Sequence, residues 1–199
     1  DSDSNFAYEQ SDDLLALLDD LAGAIDRGDA TALGIQARAL EECSILEAVP
    51  RYFDNFEARA DDYGDKKALA LGYVQRYGKR CDNLARGRQA TRKEISEAAS
   101  AAATAGNPWG EAYRFRRDSR DMDDSAARDE LGAIIASRDP EAIGELAEMM
   151  GRDQVDASGE QKYGPIAGSQ LDGDAWQLAS CDLGRDCSNQ GNFMRQMCI

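Results

Sequence analysis

Five cysteines, Cys43, Cys81, Cys181, Cys187 and Cys198, and not one histidine are the first chemical facts of this 199-residue chain. A thiol serves as nucleophile, metal ligand or half of a disulfide, and its neighbours decide which. Without imidazole there is no Cys–His nucleophile, and the commonest ligand of zinc and haem is missing. No CxxC pair occurs, so neither an all-cysteine zinc site nor thioredoxin-like exchange fits the spacing. Structural disulfides remain, the use expected of an exported protein. Cys43 and Cys81 fall on two expected helices and are the favoured pair. Cys181, Cys187 and Cys198 leave three pairings open and one thiol over.

Carboxylates are the second resource. Asp118, Asp121, Asp123, Asp124 and Asp129 crowd RFRRDSRDMDDSAARD, residues 114–129. Hard oxygen ligands of this kind hold calcium, but the glycine and closing glutamate of an EF-hand loop are absent. An N-cap cluster facing a helix dipole, beside the arginines of the preceding turn, fits the residues better. Asp118, Asp121, Asp123 and Asp124 are then candidate contacts for a basic partner, together with Trp109, which follows a proline at a helix entrance where partial exposure is an alternative to the leading core reading. A hydrolase acting on cell-wall or carbohydrate material through an Asp/Glu pair is the alternative activity, although among 38 acidic residues no pair stands out. There is no GxSxG elbow, P-loop or GxGxxG fingerprint. The sequence assigns no catalytic residue, no cofactor and no metal.

The net charge of −15, from 38 acidic and 23 basic residues, repels phosphate backbones and anionic lipid, and draws in positively charged proteins. Nucleic acid is excluded as an expected partner. No apolar run has membrane-spanning length. The opening DSDSNF lacks an initiator Met, which removal of a signal peptide would explain and a trimmed start would explain equally. A periplasmic or secreted location is the expectation.

The elements that carry these residues read as helices. Hydrophobic residues make up 42% of the chain, alanine, leucine and charged residues dominate, and no alternating strand pattern of useful length appears. Residues 1–10 are expected to be a flexible segment, followed by a single α-helical domain over 11–199. After Ser11, Leu14, Leu17, Leu18, Leu21 and Ile25 form one helical face ending near Gly28. Tyr52, Phe53, Phe56, Tyr63, Tyr73 and Tyr77 read as core at helical spacing. The small residues of EISEAASAAAT (94–104) let a neighbouring helix come close. Residues 152–173, rich in Gly, Ser and Asp, are the longest expected loop.

Asp29, Asp65, Asn107, Asp139 and Asp174 each precede helix-favouring sequence, 32 to 42 residues apart, and are the predicted N-caps of a loose helix–turn–helix repeat. Ala142-x-x-x-Leu-Ala-x-Met-Met-Gly151, followed after a loop by Asp174-Ala-Trp-x-Leu-Ala-x-Cys-x-Leu-Gly184, resembles a degenerate Sel1-like repeat, a relative of tetratricopeptide repeats, as does Ser100-Ala-Ala-Ala-Thr-Ala-Gly-Asn107. The Tyr-x-x-Gly-x-Gly connector of that family is missing. The tail WQLASCDLGRDCS with its late Cys198 is similar to exported bacterial proteins with a cysteine-rich helical C-terminus. The first resemblance implies scaffolding and adaptor roles. The expectation is therefore all-α: an irregular stack of antiparallel helix pairs, a degenerate αα repeat, with a disulfide-pinned C-terminal hairpin. Its function would be protein–protein interaction, with an immunity- or inhibitor-type role against a basic partner as one form.

Overall fold

Short polar residues ahead of apolar periodic stretches set most helix starts. The computed structural model describes residues 2–48, 60–87, 90–152 and 162–187. The fold is all-α: among the described residues there are nine α-helices, two short 3-10 segments and no strand. The described residues divide into two compact units. One takes in the described residues up to Ala98 together with Asp186 and Cys187, and the other runs Ala99–Arg185. Each has its own apolar cluster.

The first unit contains α1 (Ser2–Gln10), α2 (Leu14–Asp26), α3 (Ala30–Ala48) and α4 (Lys67–Gly87). Asp13 caps α2 by accepting from Leu15 N (3.0 Å) and Ala16 N (3.2 Å). Gly28 turns the chain at φ 75°, a conformation that costs glycine no Cβ clash. Asp29 then caps α3 by accepting from Ala32 N at 2.9 Å. With so short a connection, α2 and α3 lie side by side, and both pack on α4. Asp65 falls in the 3-10 segment Ala60–Lys66, after which α4 begins.

The core of this unit joins Leu14, Ile35, Ala39, Tyr77 and Leu84 to the Cys43 and Cys81 side chains, with Leu15, Leu17, Leu18 and Leu21 against it. Cys43 and Cys81 form a disulfide with Cα atoms 5.3 Å apart, linking α3 to α4. Where a flexible segment is expected over 1–10, Ser2–Gln10 is helical and Tyr8 is buried. The physical reason is a single anchor residue, described below. Tyr52, Phe53 and Phe56 lie outside the described residues.

The helices from α5 (Arg92–Thr104) onward are α6 (Pro108–Asp118), α7 (Asp124–Ser137), α8 (Pro140–Met150) and α9 (Gln170–Asp182). In the second unit α8 is central: it packs on α6, α7 and α9 and buries Ala142, Ile143, Leu146, Ala147, Met149 and Met150. Phe115, Leu131, Ile134 and Tyr163 close the cluster.

Two close approaches depend on glycine. A Cβ on Gly110 of α6 would lie 2.6 Å from Ala103 N and 2.9 Å from Ala102 Cβ, so the small residues of α5 do admit a neighbour at short range. A Cβ on Gly173 of α9 would lie 2.9 Å from Gly151 Cα.

The caps have an order of their own. Thr91 and Glu94 form a reciprocal pair at the start of α5. Asn107 accepts from Gly110 N, Asp123 from Ser125 N and Asp139 from Ala142 N. Positions 91, 107, 123 and 139 are each sixteen residues after the last, one helix and one turn. The series does not reach Asp174, which is a correction to the predicted caps. Ser169 caps α9, with Asp172 closing a capping box. Asp174 lies inside the helix and accepts from Gln170 Nε2 at 3.0 Å. Gly173, which reads in sequence as a breaker, is helical because Gly151 sits against it. The loop expected over 152–173 accordingly ends at Ser169.

Candidate functional site

The predicted contact residues fall into structural roles. Trp109 is only 6% exposed, and its ring lies 5.4 Å from that of Tyr113, which corrects its assignment as a partly exposed anchor. Gly110 beside it brings the helices too close for an indole to stay outside. The Asp118 carboxylate takes two bonds from Arg117, at 2.6 and 2.8 Å, and these hold it below the usual carboxylate range. Asp123 is the α7 cap. Asp124 pairs with Lys162 Nζ at 3.2 Å. Asp121 is exposed. This cluster therefore serves helix ends, and among the described residues no group of three or more carboxylates and cysteines is arranged to hold a metal.

Cys181, in the last turn of α9, is bonded to Cys187, and Cys198 lies outside the described residues. Two disulfides fit an oxidising compartment. No helix among the described residues is long and apolar enough to cross a membrane.

A buried polar network in the first unit escaped sequence reasoning altogether. Arg80 is 1% exposed. Its Nε donates to Glu42 Oε1 (2.7 Å) and one terminal nitrogen to Glu42 Oε2 (3.2 Å). The other donates to the carbonyls of Tyr8 (2.7 Å) and Ser11 (2.6 Å). The Tyr8 hydroxyl donates to Glu42 Oε2 at 2.5 Å, and its ring lies between the guanidiniums of Arg38 (4.2 Å) and Arg80 (4.6 Å). Burial, and then the negative charge of Glu42, push the Tyr8 phenol well above its ordinary range, so it stays a neutral donor. Every described donor and acceptor here faces another protein group, and the arrangement holds α1 against α3 and α4.

The outer side of α9 is different. Leu171 and Leu178 are 78% and 66% exposed. With Ala175, also exposed, they stand at i, i+4 and i+7 on one helical face. Asp174 and Asp182, at i+3 and i+11, flank the same face. The opposite side of α9 packs on α8, and Trp176 Nε1 donates to Ile166 O at 2.8 Å. In sequence the leucine pair is visible only if α9 starts at Ser169; a start at Asp174 puts Leu171 in a loop.

This face is the candidate functional surface: apolar in the middle, acidic at the edge, and carried on a helix fixed at one end by a capping box and at the other by a disulfide. No family model, no curated protein and no solved structure matches the chain.

Proposed function

We propose that the protein is an exported helical interaction module that binds a positively charged protein through the outer face of α9, with neutralisation of a toxin or inhibition of an enzyme as the form such binding takes. The observation that carries this reading is the pair Leu171 and Leu178, exposed on one face beside Asp174 and Asp182. Large apolar side chains at helical spacing on an outer surface lose the hydrophobic gain that burial against a partner restores, about 1.5–3 kcal/mol for each leucine. Acidic residues around them favour a basic amphipathic partner and speed its approach. Two disulfides support the periplasmic or secreted location. The sixteen-residue cap spacing, two helices to each 32 residues, supports the Sel1-like or tetratricopeptide-type αα-repeat reading.

The test is affinity capture from the envelope and secreted fractions with wild-type protein and with Leu171→Asp/Leu178→Asp. The expected result is a basic partner whose retention by wild-type protein falls as salt rises and which the double variant does not retain. Equal retention by both proteins would remove α9 from the interface. Indifference to salt would remove the acidic rim from it.

A further inference from the structure

In a chain with 38 acidic and 23 basic residues, four arginines meet at one place. Arg116, Arg117, Arg120 and Arg152 line a pocket of about 230 Å³ at the ends of α6 and α8, with Ser119 and Glu148 in its wall. That volume is below the range of drug-sized sites, roughly 300–1,000 Å³, so any ligand seated there is small.

Two of the four arginines have ordinary structural reasons. Arg116 and Arg117 occupy the last turn of α6, where the dipole favours cations. They pair with Glu145 at 2.6 Å and Asp118 at 2.6 Å. Arg152 stands just past the last turn of α8, where the dipole also favours a cation, whereas Arg120 has no such pairing among the described residues. Arg120 lies beyond the helix end, is exposed, and has no carboxylate partner among the described residues. Arg152 pairs with Glu148 across one helical turn, both side chains more than half exposed, an interaction worth only a few tenths of a kcal/mol.

A third observation points the same way. Ser119 is 2% exposed, and its hydroxyl donates to the thioether sulfur of Met149 at 3.6 Å. Sulfur is a weak acceptor, so a buried donor in the pocket wall is left with a poor partner, whereas an anionic oxygen would be a strong one.

From these three groups we infer a binding site for a phosphate-sized dianion, either free inorganic phosphate or the phosphate group of a small monoester. Guanidinium forks match the oxygens of phosphate, and Ser119 adds a hydroxyl donor from the wall. A nucleic acid is too large and is repelled by the net charge of −15.

The experiment is an NMR titration of the full chain, following backbone amides and arginine Nε–H signals, with inorganic phosphate, phosphoserine and, at matched ionic strength, chloride. The expected result is saturable shifts at Ser119, Arg120 and Arg152 with both phosphate compounds and none with chloride. Arg120→Gln and Arg152→Gln, both at exposed positions, should each weaken binding about tenfold, and Lys93→Gln on α5 should leave it unchanged. Tighter binding of phosphoserine would assign the site to esters, and tighter binding of inorganic phosphate to the free ion. Chloride giving the same shifts, a lack of saturation, or unchanged affinity in Arg120→Gln would each overturn the inference.

Discussion

Replacing Arg80 with methionine keeps an unbranched apolar stem and removes every donor it carries. In the wild-type structure the Glu42 carboxylate takes two bonds from Arg80, and the Tyr8 and Ser11 carbonyls one each. Glu42 is left largely buried with the Tyr8 hydroxyl still on it. Removing one partner of a buried ion pair costs about 3–5 kcal/mol, because the remaining charge has lost its counterion. The Tyr8 carbonyl keeps the Ser11 N–H at 3.3 Å, but the Ser11 carbonyl finds a new partner only by moving out to water, which loosens the end of α1. The expected loss is therefore about 4 kcal/mol, a large share of a typical domain's 5–15 kcal/mol. It should be accompanied by faster amide exchange across α1. Urea unfolding followed by circular dichroism gives the first quantity, and hydrogen exchange with mass spectrometry gives the second. The double variant Arg80→Met/Glu42→Gln should be more stable than Arg80→Met alone, since the stranded charge is gone. A loss below about 1 kcal/mol in Arg80→Met, or α1 protection equal to wild type, would show that the network does not hold the N-terminal helix.

The other expectations are more local. Cys43→Ala/Cys81→Ala opens a link of 38 residues, worth about 4 kcal/mol in the chain-entropy account; either single variant should lose as much as the double, and urea midpoints that separate them would contradict the cross-link explanation. Gly110→Ala should cost about 1–3 kcal/mol, because its Cβ meets backbone. Gly132→Ala, exposed on α7 with open space around it, should gain about 0.5–1 kcal/mol, and thermal melts of the pair check both signs. Asp13 is held below the usual carboxylate range by the Asn83 side-chain amide and the Ala16 N–H. Its contribution is thus present above about pH 4 and is lost as pH falls through the folded value. Asp13→Asn keeps a good cap, so its stability between about pH 5 and pH 2 should fall less than that of wild type; equal slopes in urea midpoints would remove Asp13 from the acid response.

Helices were legible in the sequence wherever a polar cap preceded an apolar period, because both signals act within a few residues. Asp29, Asn107 and Asp139 are predicted caps that the structure also uses as caps. The sixteen-residue rhythm stayed hidden because Thr91 was absent from the predicted series and Asp123 was read only as the start of another helix. Burial was harder to read. Trp109 stands at a helix entrance, which argues for exposure, but it is buried beside Tyr113, next to the glycine at which α5 comes close. Arg80 looks like any solvated arginine on a helix. Only the fold brings its guanidinium to carbonyls some seventy residues earlier in the chain.

Glycine was the residue most easily misread. In sequence Gly173 reads as a stop before an Asp cap, since glycine weakens helices by about 1 kcal/mol. In the fold that cost is offset by α9 lying directly against Gly151, a contact that no side chain would allow. Taking Gly173 as a stop puts the start of α9 at Asp174 and leaves Leu171 in a loop, whereas Ser169 is the cap. With the correct start, Leu171 and Leu178 share a face that α8 does not cover, and α9 changes from a plain closing helix into one that is apolar on two sides. A terminal helix that only closed an array would be polar on its outer face. Under the proposed function these outer leucines are where the partner would sit, and the acidic residues beside them would favour a basic one.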